Sequence, residues 1–309
     1  MRAGLLGSAN VRKRQYINNS VPYLGSLGMF PTVNKDSRSA SDSYHKISKQ
    51  NIVSPKYHIN DHDDILVSAL CVTYRRPTYL KSAINDFMDQ THKNKELLIL
   101  YDDDDELTQS FRDSSDYDDS IKWFKMDSKL NLGELRNKSV ELANGEYVTQ
   151  WDDDDLYHKE RIRIQLDFAV KTNKAVLLDA WVILNTQDER VYSYIREPGW
   201  EGSILSPKKY LLKYKYGEDM EKGGFGEDTV CIDQLHSNNL TYSLRNHAYL
   251  YTYRILHGNN TCPDQHFVDM TNYANKLNNN GFSDKRNSIP SHKESSRAPV
   301  TRFHRLAFD

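Results

Sequence analysis

Between Leu66 and Ile195 short apolar runs alternate with stretches whose apolar residues recur at helical spacing. No other feature constrains the chain as strongly, because strands separated by helices connect as crossovers into a mostly parallel sheet covered by helices. Leu66–Thr73 reads as the first strand. Pro77 suits the first turn of the helix that follows, with Leu80, Ala83, Ile84, Phe87 and Met88 as its apolar face. Glu96–Tyr101, which runs into Asp102–Asp105, and Ile121–Met126 read as the next two strands. Leu132–Ala143 reads as a helix with Leu132, Leu135 and Leu142 on one side, stopped by Asn144-Gly145. A strand over Tyr147–Trp151, a helix from about His158 to Lys171, and strands near 175–184 and 191–195 complete the pattern, which then becomes less regular. The expected class is α/β, a mostly parallel twisted sheet flanked by helices.

The strand at Tyr147–Trp151 runs straight into Asp152-Asp153-Asp154-Asp155. In an open α/β sheet the carboxyl ends of the strands are where ligands bind, so the position of this run matters more than its charge. Asp152 and Asp154 are spaced so that both carboxylates can meet one hard divalent cation, which prefers oxygen ligands and bridges to phosphate. The run Asp116-Tyr117-Asp118-Asp119 lacks that setting and reads as a solvated loop. Lys222-Gly223-Gly224-Phe225-Gly226 has neither the spacing nor the ending of a phosphate loop and reads as a mobile lid.

Four blocks stand out over residues 65–260: Val72-Thr73-Tyr74-Arg75-Arg76-Pro77, followed by Leu80 and Gln90-Thr91; Glu96–Asp102; Arg136-Asn137 with Ala143-Asn144-Gly145-Glu146-Tyr147 and the aspartates; and Gly226-Glu227-Asp228. Together they resemble the inverting glycosyltransferases of family 2, which have the GT-A nucleotide-sugar-binding fold. The first block is similar to the family's opening P-T-Y-N-R-P strand, helix and N-Q-T turn, with Val72 in place of proline and Arg75 in place of asparagine. Glu96–Asp102 resembles the second strand, whose final aspartate reads the pyrimidine ring. Arg136-Asn137, Ala143-Asn144-Gly145-Glu146-Tyr147 and the aspartates resemble the A-R-N, A-x-G-E-Y and D-x-D-D block, the most specific match. Gly226-Glu227-Asp228 resembles the E-D motif that opens a helix and carries the catalytic base.

The resemblance implies an enzyme that moves a sugar, hexosyl or pentosyl, from a nucleoside-diphosphate sugar, UDP-linked by expectation, to an acceptor hydroxyl. It assigns the base to Asp228 and nucleotide-sugar contacts to Thr73, Tyr74, Arg75, Asp102, Arg136, Asp152 and Asp153. A Mn²⁺ or Mg²⁺ ion would be held by Asp154, Asp152 and His257, the last from a Tyr251–Thr261 segment that resembles the Y-x-Y-x-x-x-H-G-x-N-T ending of some members. Trp200 and Glu227 would touch the acceptor or the donor sugar.

Charge separates the ends from the middle. Residues 1–50 carry eight basic side chains against two acidic ones, a surplus of +6, and residues 280–309 carry six against three, a surplus of +3. With a net charge of −2 for the whole chain, the middle stands at −11. The expected organisation is therefore a basic arm over 1–64, a catalytic domain over 65–260 and a basic extension over 261–309. Positive arms on an acidic body suit a polyanion. The expected acceptor is a glycan or surface polysaccharide; the alternative is DNA carrying hydroxymethylated bases. A non-catalytic nucleic-acid-binding module is the rival from another class. The longest apolar stretch, Ile65–Val72, is far short of the roughly 20 residues that span a bilayer, so no membrane span is expected. The start lacks the apolar core of a signal peptide, and Cys71, Cys231 and Cys262 show no paired spacing, which points to a reducing, cytoplasmic setting.

Overall fold

The computed structural model describes residues 58–127, 130–187, 189–218, 226–258 and 264–279. Residues 1–57 and 280–309 lie outside them, as do Lys222–Phe225 of the expected lid and Cys262, whereas residues 264–279 of the expected basic extension are described. In chain order the elements are β1 (Val67–Thr73), α1 (Pro77–Met88), β2 (Lys95–Asp102), α2 (Glu106–Asp113), β3 (Ile121–Met126), α3 (Leu132–Leu142), β4 (Tyr147–Gln150), β5 (Leu156–Tyr157), α4 (Arg161–Thr172), β6 (Ala175–Asn185), β7 (Arg190–Pro207), α5 (Lys208–Lys213), α6 (Glu227–Ser237), β8 (Thr241–Leu244), β9 (Tyr251–Ile255) and α7 (Asp264–Asn279).

The sheet runs β3-β2-β1-β4-β7-β6-β9-β5, with β8 paired to the first half of β6. Its first four strands are parallel, β7 is antiparallel to both β4 and β6, and β6 is parallel to β8 and β9. Successive strand residues face opposite sides. Val67, Ala69 and Cys71 of β1 and Leu97 and Ile99 of β2 therefore pack with Leu80, Ile84 and Phe87 of α1 and Ile162 and Leu166 of α4. Leu70, Leu98 and Leu100 pack on the other face with Val140 of α3, Leu211 of α5 and Ile232 and Leu235 of α6. Burial of both faces is why these strands read as continuous apolar runs.

Three details differ from the sequence reading. Met88 is 40% exposed, because α1 ends there and only Leu80, Ala83, Ile84 and Phe87 face the sheet. The buried face of α3 is Leu135, Arg136, Asn137, Ser139 and Val140, whereas Leu132 and Leu142 are only half-buried. Polar side chains occupy that face because its first turns border the site. The strand expected near 191–195 continues to Pro207, pairing with β6 across register shifts near Leu178 and then with β4. Its buried Glu201, Ser203 and Ser206 broke the apolar pattern. Gly145 closes the α3–β4 turn where any side chain would collide, a Cβ there falling 2.7 Å from the Leu66 carbonyl oxygen and the Ser68 hydroxyl.

Candidate active site

From β1 the chain moves outward to β2 and β3, then returns to β4 on the other side of β1. That reversal opens a crevice at the carboxyl ends of β1 and β4, the general ligand position of such sheets. Thr73 ends β1 and the four aspartates follow β4. Across the crevice the Thr73 hydroxyl donates to Asp153 Oδ2 at 2.6 Å. Arg76, arriving from the start of α1, forks over two carboxylates, with Nη2 2.7 Å from Asp153 Oδ1 and Nη1 2.7 Å from Asp154 Oδ2.

The aspartates divide by parity. Asp153 and Asp155 are fully buried and turned inward, whereas the side chains of Asp152 and Asp154 keep 23% and 13% exposure toward the crevice. Burial pushes Asp153 up to about 7 against the pull of Arg76. Asp155 accepts hydrogen bonds from the Tyr251 hydroxyl and, at 3.0 Å, the Arg254 backbone N–H, and burial together with its acidic neighbours raises it well above the usual carboxylate range. Asp154 lies 3.1 Å from His257 Nε2. Burial acts to raise Asp154, but Arg76 and His257 outweigh it and hold this carboxyl well below the usual range. Asp152 accepts from Arg136 Nη1 at 3.0 Å and from Gln150 Nε2 at 2.8 Å. The same guanidinium donates through Nε to Glu227 Oε1 at 2.9 Å, so one planar fork ties α3, the acidic turn and α6 together.

Gly226 adopts φ +98°, a conformation that side chains oppose, and this turn delivers Glu227 and Asp228 to the first turn of α6. Asp228 Oδ1 accepts the Thr229 N–H at 2.8 Å. Burial first, and then the charges of Glu227 and Glu201, push Asp228 up to about 8. A carboxyl held there keeps its proton at neutral pH and becomes a proton acceptor as pH rises through about 8.

At the ends of β1 and β2, Tyr74 is 42% exposed and its ring lies 4.9 Å from the Arg75 guanidinium. Arg75 has φ 55°, and its N–H donates to Asp105, which also caps α2. Half-buried Asp102 ends β2 on the same edge. Trp200 is set farther along, half-buried in an aromatic row, stacked on Trp181 at 5.1 Å and tilted against Tyr253 at 4.9 Å.

The crevice thus brings together Thr73, Arg136, Asp152, Asp153, Asp154, Glu227, Asp228 and His257. Sequence reasoning gave no role to Arg76, Tyr251 or Arg254. Arg76 was in view in the first block, but nothing local told it from Arg75, whose side chain is 51% exposed against 16%. Asp152, Asp154 and His257 do not converge as one set: among the described residues no group of three His, Cys, Asp or Glu side chains is placed to hold a metal ion. Asp154 with His257 does offer an anionic oxygen beside an imidazole nitrogen. Such a pair suits a hard cation that takes its other ligands from water and substrate phosphates.

The family model for glycosyl transferase family 2 matches residues 68–227. An uncharacterized glycosyltransferase of Methanocaldococcus jannaschii is 26% identical over 158 residues, 50% of this chain and 54% of that protein. The UDP-Glc:alpha-D-GlcNAc-diphosphoundecaprenol beta-1,3-glucosyltransferase WfgD of Escherichia coli is 24% identical over 180 residues, 58% of this chain and 65% of that protein. The chain thus spans less than two thirds of the length of either relative. Among solved structures, S. aureus TarS 1-349 in complex with UDP-GlcNAc superposes with a TM-score of 0.51 at 14% identity, covering 64% of this chain and 60% of that one, a likeness of fold. No helix among the described residues is long and apolar enough to cross a membrane.

Proposed function

Since the chain belongs to glycosyl transferase family 2, we propose that it transfers a sugar from a nucleoside-diphosphate sugar to an acceptor hydroxyl with inversion at the anomeric carbon. The observation that carries this reading is the Arg136 fork, which holds Asp152 of the acidic turn and Glu227, next to the base candidate Asp228, on one cation. It brings Asp152, which we assign to the phosphate side, and Glu227, the neighbour of the residue we assign as proton acceptor, to one crevice.

Tyr74, Arg75 and Asp102 are the groups we assign to the nucleotide, with Thr73 and Asp153 fixing the floor beneath it and Arg136 and Asp152 facing its ribose and phosphates. Asp154 and His257 would hold Mn²⁺ or Mg²⁺, whose chemistry when bound is to neutralise charge on the leaving diphosphate. Asp228 takes the acceptor proton as the hydroxyl oxygen attacks the anomeric carbon from the face opposite the leaving group. Glu227 and Trp200 are the candidate sugar contacts. The relative WfgD is named for transfer from UDP-Glc and the TarS structure for a complex with UDP-GlcNAc, which supports a UDP-linked hexose donor and a glycan acceptor. A catalytic domain over 65–260 and a cytoplasmic location are parts of the same proposal.

A screen of nucleotide sugars with Mn²⁺ or Mg²⁺, reading nucleoside diphosphate release with and without glycan acceptors, tests it. Acceptor-stimulated release from a UDP-sugar is expected. Absence of release from every donor overturns the reading.

A further inference from the structure

Arg161, the first residue of α4, is fully buried, and no carboxylate lies within ion-pair distance of it among the described residues. Its guanidinium carbon instead lies over three aromatic rings, 4.6 Å from the centre of Tyr157 and 5.2 Å from those of Trp151 and Tyr251. Nη2 donates to the Gln150 carbonyl at 3.0 Å and to the Thr149 hydroxyl at 3.2 Å, and Nε donates to Gln165 at 3.1 Å. Nη1 is buried with no hydrogen-bond partner. A guanidinium does not shed its proton in a protein, so this is a cation held in the core. Such burial is costly unless something favours the charge, and aromatic faces do so in part.

Each of the three rings leads to the acidic turn. Trp151 immediately precedes Asp152 and stacks on Tyr157 at 3.9 Å. The Tyr157 hydroxyl donates to the Asp152 backbone carbonyl at 2.9 Å, and the Tyr251 hydroxyl donates to Asp155. The Gln150 carbonyl that accepts from Arg161 lies two residues before Asp152, whose carboxylate the Gln150 side chain also binds. Arg161 thus sits under both ends of the turn while contacting none of its carboxylates.

We propose that Arg161 is a positioning residue for the proposed glycosyl transfer, a buried cation that clamps Trp151, Tyr157 and Tyr251 and so holds Asp152 and Asp154 where the donor diphosphate is bound. The inference rests on the transferase reading for its consequence, but the clamp itself can be measured without any ligand. Arg161→Lys keeps the charge and loses the planar fork, Tyr157→Phe removes only the hydroxyl that reaches Asp152, and Leu211→Ala weakens the core on the opposite face of the sheet without touching the turn.

The test measures amide hydrogen exchange over residues 150–157 in the ligand-free full chain, and then binding of UDP with Mn²⁺ by calorimetry. Arg161→Lys is expected to speed exchange in the turn and to weaken UDP binding by about 10- to 100-fold, as loss of an orienting partner does at metal sites. Tyr157→Phe should weaken binding too, and adding it to Arg161→Lys should cost less than the product of the two losses, since both act through one link. Leu211→Ala should leave exchange in the turn and UDP affinity unchanged even where its melting temperature falls as far. A folded Arg161→Lys protein with wild-type exchange and wild-type UDP affinity overturns the proposal, as does a Leu211→Ala protein showing the same losses. If the wild-type chain binds no nucleoside diphosphate, the transferase reading falls, and the exchange measurement still decides whether Arg161 holds the turn.

Discussion

His257 Nε2 stands 3.1 Å from Asp154 Oδ2, joining the segment after β9 to the turn after β4. The same carboxylate oxygen accepts from Arg76 Nη1 at 2.7 Å. Asp154 is therefore the member of the acidic run on which a guanidinium and an imidazole converge from two distant parts of the chain, while Asp152 is committed to Arg136 and Gln150.

Asp154→Ala should abolish metal-dependent nucleotide binding, because it removes the anionic oxygen of the pair. His257→Gln should raise the Mn²⁺ concentration needed for half-maximal transfer while leaving the fold intact. Chelation should silence the wild-type protein, and added Mn²⁺ or Mg²⁺ should restore it. Calorimetric titration of UDP with and without the cation checks the first and transfer assays against cation concentration check the other two, and unchanged affinity in Asp154→Ala removes the metal assignment.

Asp228→Asn should retain nucleotide binding and lose at least about 100-fold in transfer, since the amide keeps the shape and cannot accept a proton. Because the Asp228 carboxyl is pushed up to about 8, the base form accumulates only as pH rises through that value. The kcat/KM of the wild-type protein should therefore climb through about pH 8 rather than pH 4. Linkage gives the matching stability effect: a raised carboxyl value favours the folded state at low pH, and that contribution is lost as pH rises through about 8. Rate profiles without a limb near 8 would remove Asp228 as the base.

Arg136→Met should destabilise the protein by about 3–5 kcal/mol, the usual result of stripping one partner from buried ion pairs. Two carboxylates, Asp152 and Glu227, would lose their shared counter-charge. Urea unfolding measures the loss, and nucleotide affinity should fall with it. A midpoint within experimental error of wild type would show that solvent already compensates these charges.

Salt separates the acceptors. The surplus of +9 carried by residues 1–50 and 280–309 lies outside the region of the motifs. A DNA acceptor neutralised by those arms would make transfer fall steeply between about 50 and 200 mM salt, because released counterions drive such binding. A neutral glycan should show little slope in either the full chain or a protein lacking both arms. The flat profile is the expected one.

Periodicity was enough for the longer elements from β1 to β6, since strands buried on both faces must be apolar throughout and amphipathic helices must repeat at their own pitch; α2, whose buried residue is Thr108, and the two-residue β5 carry no such pattern and were not read. The positions of the motifs along the chain likewise located Asp152–Asp155 at a strand end and Glu227-Asp228 at a helix start. Composition and spacing could not assign partners. Four consecutive aspartates are alike in sequence, yet the turn after β4 sends Asp153 and Asp155 into the core and leaves Asp152 and Asp154 at the crevice. Arg75 and Arg76 are adjacent and chemically identical, and a positive φ at the first turns one outward while the second is drawn between two carboxylates. Arg161 read as one helical residue among others until Trp151, Tyr157 and Tyr251 met around it. Those roles depend on which distant groups share a low-dielectric volume, and only the folded sheet with its covering helices brings them together.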